Sequence, residues 1–365
     1  MKEAERKSDD SPEGVPSRRR WPLVAGAVIV GSFYLLTVFA DFLSPYDYRA
    51  QSRREPSAPP STLRFRDAQG HWHARPFVYA QRLVDPLDRR YEADVRRAYP
   101  VEFFAPGCRY KWFGLIASDR HLFGVRGMGD PEAPRLSMLG TDALGRDRLS
   151  RLIAASRFSM LVGPLGTLLA ALLGVAIGCS AGYAGRWVDA ALMRAADVMM
   201  ALPALVVILA ARAAFPLELP PVRAATLLVC LFVALGWAEM ARLARGLVRE
   251  LRGREFVVAA VSLGMPPWRV LWRHILPNAA RPLIVQTLLM LPAFLLSETA
   301  LSFLGVGVQE PEASWGSLLT AAADVTLLER DYAGQGFLLL SPALAITLFV
   351  LGVRLLGAGL ERGDE

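Results

Sequence analysis

The sequence predicts an all-α polytopic membrane protein of six transmembrane helices, with a small β-rich extracytoplasmic insert between the first and second. Three observations carry that prediction. The 365 residues are 53% hydrophobic, and the bias comes from separate long apolar runs rather than from one soluble core. The net charge of +7 is an arginine charge, since Lys2, Lys7 and Lys111 are the only lysines. Those arginines flank the apolar runs, as membrane topology demands, which accounts for the basic balance without nucleic acid as a partner. Between the first two runs lies a long polar segment whose short alternating stretches read as strands.

Several chemistries are excluded at this level. A phosphate-binding P-loop needs Gly-Lys-Ser/Thr, and none of the three lysines follows a glycine, so the chain does not hydrolyse ATP by itself. Cys179 and Cys230 fall within apolar runs and read as small packing residues. Cys108 stands alone in the polar segment, which therefore has no internal disulfide. His71 and His73 alternate on a strand and read as surface residues rather than as a metal site.

In chain order, residues 1–20 are charged, contain Pro12 and Pro16, and read as a disordered cytoplasmic tail. Arg18-Arg19-Arg20 precedes the apolar run 21–42, holding the start of a first, uncleaved span in the cytoplasm. Residues 43–157 form the extracytoplasmic segment, with the insert proper at 48–136. Leu63-Arg64-Phe65 and Trp72 to Tyr79 flank an Asp67-Ala68-Gln69-Gly70 turn. Val101 to Phe104 and Arg109 to Phe113 flank Ala105-Pro106-Gly107. Five further spans fall near 158–182, 190–214, 222–246, 281–304 and 336–358, followed by a cytoplasmic tail at 359–365. Arginines 242, 245, 249, 252, 254, 269, 273 and 281 cluster around the 247–280 loop. The 305–336 loop is acidic, with Glu310, Glu312, Asp324, Glu329 and Asp331 against Arg330. That asymmetry places both termini inside.

Four features inside or beside the spans carry structural expectations. Asp189, Arg194 and Asp197 start the third span, where Arg194 can pair with a neighbouring aspartate. Pro203 and Pro292 interrupt helical bonding and allow kinks. Glu298 is a carboxylate inside a span, with Ser302 one turn on. The pair is a candidate for pathway contact, an interhelical hydrogen bond or a hinge. Trp315 reads as an interfacial anchor.

Two stretches are more specific. The first is Leu139-Gly140-Thr141-Asp142-Ala143-Leu144-Gly145-Arg146-Asp147-Arg148-Leu149-Ser150-Arg151. Here Asp142 can satisfy orphan amides at a helix start, the two glycines permit a tight turn, and Asp147 with Arg151 is an i,i+4 pair. The second runs from Arg254 to Asn278. Residues 256–261 read as a short helix, Gly264 relaxes the backbone, and Pro266-Pro267 stops the helix. A second helix restarts near Pro267 with Val270, Leu271 and Ile275 on an apolar side and Arg269, Arg273 and His274 on a polar one, and Pro277 ends it. A helix–kink–helix of this kind suits docking onto a soluble partner; a basic loop lying on lipid headgroups is the competing reading.

These stretches resemble the permease subunits of the dipeptide/oligopeptide/nickel family of binding-protein-dependent ABC importers. Arg254 to Asn278 is similar to that family's cytoplasmic coupling loop: Ala259 and Ala260 match its alanines, Gly264 its fixed glycine, and Arg273-His274-Ile275-Leu276-Pro277-Asn278 its ending. Val258 stands where the family has an acidic residue, and Glu255 lies one turn earlier. The first stretch is similar to the family's signature, matched at Gly140, Thr141, Asp142, Gly145, Arg146, Asp147, Ser150 and Arg151. Residues 302–309 with Ser314-Trp315-Gly316 also resemble the family, whereas the insert is longer than its counterpart there. The resemblance implies a bacterial inner-membrane permease for peptides or related small solutes. It would pair with a second homologous permease, couple to two P-loop ATPase subunits, and receive solute from an extracytoplasmic binding protein. ATP and Mg would bind those partner subunits, and this chain would hold no cofactor. A stand-alone secondary transporter or channel would need broken helices carrying coupling-ion residues and internal repeats, neither of which is clear in this sequence. A membrane-anchored enzyme or receptor using residues 48–136 ranks last, because that insert lacks a nucleophile–base set or a metal constellation.

Overall fold

A computed structural model of the chain describes residues 21–86, 89–112, 116–126, 134–216, 219–322 and 340–361. The tail at 1–20, positions 324, 329 and 331 of the acidic loop, residues 336–339 of the last predicted span and residues 362–365 lie outside the described residues.

Helix α1 (Trp21–Val38) is followed by the single turn α2 (Ala40–Leu43). The insert then supplies β1 (Arg64–Arg66), β2 (Trp72–Asp85), β3 (Arg90–Phe103), β4 (Pro106–Trp112), β5 (Ile116–Arg120) and β6 (Phe123–Val125). An antiparallel sheet runs in the order β1-β2-β3-β6, and β4 pairs with β5 as a separate hairpin. The strands expected near 63–65, 72–79, 101–104 and 109–112 are present, and position 113 of the last lies outside the described residues. The last two are not each other's partners, because β3 pairs with β6 and β4 with β5.

The remaining helices are α3 (Arg148–Tyr183), α4 (Arg186–Ala201), α5 (Ala204–Ala213), α6 (Pro221–Arg252), α7 (Glu255–Ser262), α8 (Pro267–Val270), α9 (Leu276–Phe303), α10 (Trp315–Ala322) and α11 (Ser341–Glu361). Among the described residues, five helical stretches are long and apolar enough to cross a membrane, or up to six if the bent pair α4–α5 makes one span. That pair meets at 81°. Pro203 causes the break: it lacks an N–H, and it holds Leu202 extended at ψ 135°. Pro292 does not break α9, which continues through it to Phe303.

Small residues set the helix spacing. Gly174, Gly178 and Gly182 recur every fourth residue on α3, and each lies against α6; a Cβ on Gly174 would sit 2.5 Å from the Trp237 carbonyl oxygen. Helices approach this closely only where side chains are absent, and in lipid such packing stands in for the missing hydrophobic drive. The same device joins α1 to α11, where a Cβ on Gly26 would lie 2.6 Å from the Gly352 carbonyl oxygen. Toward the insert end, Trp315, Phe33 and Phe349 pack edge to face around the core. Trp315 is therefore a buried core residue and not an interfacial anchor; its indole N–H donates to Leu152 O at 3.4 Å. Cys179 is buried as expected, but Cys230 is exposed on α6.

Candidate functional site

The 254–278 stretch forms an elbow at the end of the bundle opposite the insert. Helix α7 closes with the two bonds of a Schellman motif: Gly264 N donates to Val261 O at 2.9 Å, and Met265 N to Ala260 O at 3.2 Å. Gly264 sits at φ +80°, so the turn needs a residue free of a Cβ penalty. Pro266 caps the next helix and Pro267 occupies its first turn, where a missing N–H is harmless. Pro277 behaves differently from the sequence expectation. It does not end the helix, because Leu271–Ile275 widens into a π turn and the chain runs on into α9. The wider turn makes room for a proline ring that would press on the carbonyl four residues back in an α-helix.

The elbow has two faces. Val257, Val270 and Ile275 are buried against Cys179 of α3 and Val248 of α6, so the elbow is packed onto the two helices rather than hanging from them; Ala260 is buried as well. The outward face carries Leu263 at 87% exposure, Trp272 at 68% and Trp268 at 62%, with Phe256, Val258 and Val261 beside them. Glu255, Ala259, Gly264, Arg273, Pro277 and Asn278 are exposed, His274 is half-buried and Ala260 is buried. Asn278 Nδ2 donates to His274 O at 2.6 Å. The sequence reading gave the outward face its arginines but missed its two tryptophans, which a four-residue spacing on the exposed side could have shown. Beneath the elbow, Asp189 of α4 accepts from Arg245 and Arg249 of α6, and Asp197 from Arg242. These cross-helix pairs replace the expected pairing of Arg194 with a near neighbour.

At the insert end, residues 140–151 build a clamp. Gly140 and Gly145 take φ +72° and +71° and back onto residues 52–60, where Thr141 Oγ1 accepts from Ala58 N at 2.7 Å. The cap of α3 is Asp147, not Asp142: it accepts from Ser150 N at 2.8 Å and Ser150 Oγ at 2.6 Å. Nor does Asp147 pair with Arg151. Arg151 Nη1 donates to Asp142 Oδ2 at 2.5 Å, and Arg146 Nε donates to the same oxygen at 2.6 Å. Arg146 then forks onto Glu310 at 3.0 and 2.8 Å, and Arg151 reaches it at 3.3 Å. Two buried arginines thus tie the start of α3 to the segment after α9. Burial alone would raise the Asp142 carboxyl, but hydrogen bonds from Arg146 and the charges of Arg146 and Arg151 hold it below the usual range. Hydrogen bonds from Arg146 lower Glu310 as well. Burial raises Asp147. Glu310 was legible only as one acid in an acidic loop, because its partners lie about 160 residues earlier.

Glu298 is fully buried and Ser302 is 3% exposed. Glu298 accepts from Ser302 Oγ at 2.8 Å and from Ser159 Oγ at 3.0 Å, and Trp315 N donates to Ser159 Oγ at 3.2 Å. This is an interhelical junction of α3, α9 and α10, in which the buried carboxylate is satisfied by hydroxyls.

Comparison with known proteins follows this geometry. Residues 174–363, just over half of the chain, match the family model of the binding-protein-dependent transport system inner membrane component. The chain belongs to that family of membrane permeases. Residues 18–60 match the N-terminal TM domain of oligopeptide transport permease C. The chain is 36% identical over 222 residues to the dipeptide transport system permease protein DppC of Bacillus subtilis (strain 168), covering 61% of this chain and 66% of that one. It is 35% identical over 222 residues to the oligopeptide transport system permease protein OppC of the same organism, with 61% and 69% covered. To the di/tripeptide transport system permease protein DppC of Pseudomonas aeruginosa (strain UCBPP-PA14) it is 37% identical over 225 residues, with 61% and 70% covered.

Proposed function

We propose that this chain is the permease subunit of an ATP-driven peptide importer in a bacterial inner membrane. Its spans, with those of a second homologous permease, form the translocation pathway. The elbow faces the cytoplasm together with both termini, and the insert faces outward toward a solute-binding protein. ATP and Mg bind two P-loop ATPase subunits, which seat on the elbow's outward face through Glu255, Ala259, Gly264 and the Arg273–Asn278 ending. Closure of the ATPases pushes the elbow, and its packed inward face passes that motion to α3 and α6. Ala260 belongs to the inward face and His274 to the seam between the two. Glu298 and Ser302 act as the pivot of the α3–α9–α10 junction rather than as a lining of the path.

The observation that carries this reading is the exposed cluster of Leu263, Trp268 and Trp272 on an elbow otherwise locked to the bundle. A monomer rarely leaves so much apolar surface uncovered in water, and large aromatics are the usual anchors of an interface. The test is gentle detergent extraction of the chain from its native membrane, with mass spectrometry of the proteins that travel with it. A second permease and P-loop ATPases are expected. Leu263→Asp should lose the ATPases and keep the second permease. Recovery of the chain alone, with crosslinking in intact membranes also finding no ATPase, would remove the reading.

A further inference from the structure

At the insert end of α1, a groove of about 430 Å³ lies between α1, the start of α3 and strand β4. Its walls are Tyr34 and Val38 from α1 and Met160 and Leu161 from α3, and Leu161 is 55% exposed. Its rim is charged: Asp41, Arg157 and Lys111. Arg157 meets Asp41 through both terminal nitrogens, at 2.9 and 2.8 Å. Lys111 has no acidic partner among the described residues and is exposed, which leaves the rim with one uncompensated positive charge.

We propose that this groove is a binding site for one anionic phospholipid, its phosphate against Lys111 and Arg157 and an acyl chain along Tyr34, Val38 and Leu161. The inference needs only that α1 and α3 cross a membrane, whatever the transporter carries. The apolar walls belong to the last turns of one membrane-length helix and the early turns of another, so they lie where hydrocarbon gives way to headgroups. Water in such a groove would face apolar walls, whereas an acyl chain covers them. A lysine at that level lays its stem on apolar surface and presents its ammonium to a phosphate. Lys111 is the only lysine after Lys7 in a chain that otherwise uses arginine, and a lone ammonium on a flexible stem suits a mobile headgroup better than a rigid fork does. The hairpin that carries it hangs beside the groove, with Lys111 across from Ala117 and Ile116 exposed at 64%. Charge selects among lipids: a zwitterionic headgroup adds its own cation to a rim already positive, and an anionic one neutralises it.

The experiment uses the full chain, with whatever subunits travel with it, in nanodiscs containing equal amounts of phosphatidylglycerol and phosphatidylcholine. Native mass spectrometry after release counts the retained lipids. The wild type should retain one phosphatidylglycerol, Lys111→Gln should lower its occupancy about fivefold, and Lys111→Arg should restore it. Arg75→Gln, an exposed insert arginine outside the groove, should change nothing. Equal retention of phosphatidylcholine would overturn the proposal, as would retention unaffected by Lys111→Gln. Displacement of the bound lipid by inorganic phosphate alone would count against the acyl-chain half of the site. Crosslinking of Val38→Cys to the second permease would show that protein, not lipid, fills the groove.

Discussion

His121 is 1% exposed, and its two ring nitrogens face two acceptors: Nδ1 lies 2.9 Å from Asp41 O of α2, and Nε2 lies 2.9 Å from Cys108 O of β4. A neutral ring has one N–H and can satisfy only one carbonyl; the imidazolium satisfies both. The Cys108 sulfur stands 3.5 Å from Nε2, the Tyr110 ring lies beside the imidazole, and the Asp41 carboxylate is taken up by Arg157. His121 lines a small cavity together with Tyr46, Asp47, Tyr48, Arg49 and Arg109. Burial would lower the ring's pKa, but hydrogen bonds with Cys108 and the Ser44 backbone outweigh it and raise it above the ordinary 6.5. A raised folded-state pKa contributes stability that is complete below the unfolded value and lost as pH climbs through the folded one. The β4–β5 hairpin should therefore sit firmly on α2 below the ordinary histidine pKa of 6.5 and loosen as the pH climbs above it. Hydrogen exchange reads this at the Leu122 amide, which donates to Phe42 O at 2.8 Å. After correction for intrinsic rates, protection should fall with pH in the wild type and be pH-independent in His121→Gln. An unchanged pH response in the variant would mean that another group is titrating. No sequence pattern shows this arrangement, because a lone histidine declares neither its neighbours nor its burial.

Punctuation residues made the helical elements legible. Gly264, Pro266 and Pro267 mark the bend of the elbow, and Pro203 marks the break between α4 and α5, because a missing N–H or a positive φ acts locally whatever surrounds it. Local rules failed where a neighbour could absorb the defect. Pro277 is tolerated by the π turn before it, and Pro292 by the packed helix around it. In the long β2–β3 ribbon the legible part is the covered one: Phe77 and Tyr79 are buried, whereas Arg82 and Glu92, paired further along it, are both exposed. With neither face buried, period-two alternation has no cause, and the outer ribbon left no signal. The elbow's geometry separates two substitutions at Gly264. Nothing lies within 4 Å of where its Cβ would be, so Gly264→Ala meets only the positive-φ penalty, about 1 kcal/mol. Gly264→Pro also removes the donor to Val261 and cannot reach φ +80°, so the cap of α7 is lost. Uptake of a labelled peptide by membrane vesicles should survive the alanine at reduced rate and disappear with the proline, while membrane insertion is unchanged in both. Wild-type uptake with the proline would show that the elbow's shape does not matter to transport.

The path of the whole chain turns on the bent pair. Helix α3 ends at the elbow, where Gly182 packs on Val248 near the end of α6. Helix α6 has 32 residues, about 48 Å, so its start lies at the far end of the bundle. Something must carry the chain from the end of α3 to the start of α6, and only α4 and α5 lie between them. Ile208 of α5 packs with Val162 and Leu228, from the insert-end halves of α3 and α6, which places α5 on the far side. The termini meet the same condition: Gly359 of α11 packs on Leu23 of α1, and Arg281 at the elbow end donates to Leu360 O. With the bent pair counted as one span, as the proposed arrangement requires, the number of crossings is even and Leu23 and Gly359 fall at the elbow end beside its arginines, as the positive-inside rule asks. The native cysteines supply the test. Cys108 is exposed in the insert, while Cys179 is buried and Cys230 lies within the apolar part of α6. A membrane-impermeant maleimide applied to spheroplasts should label the wild type at Cys108 alone. In a Cys108→Ser background carrying Leu263→Cys, the same reagent should label only inverted vesicles, because Leu263 lies at the other end of the bundle. Labelling of both positions from one side would require an odd number of crossings between insert and elbow to be wrong, and with it the assignment of the bent pair as a span.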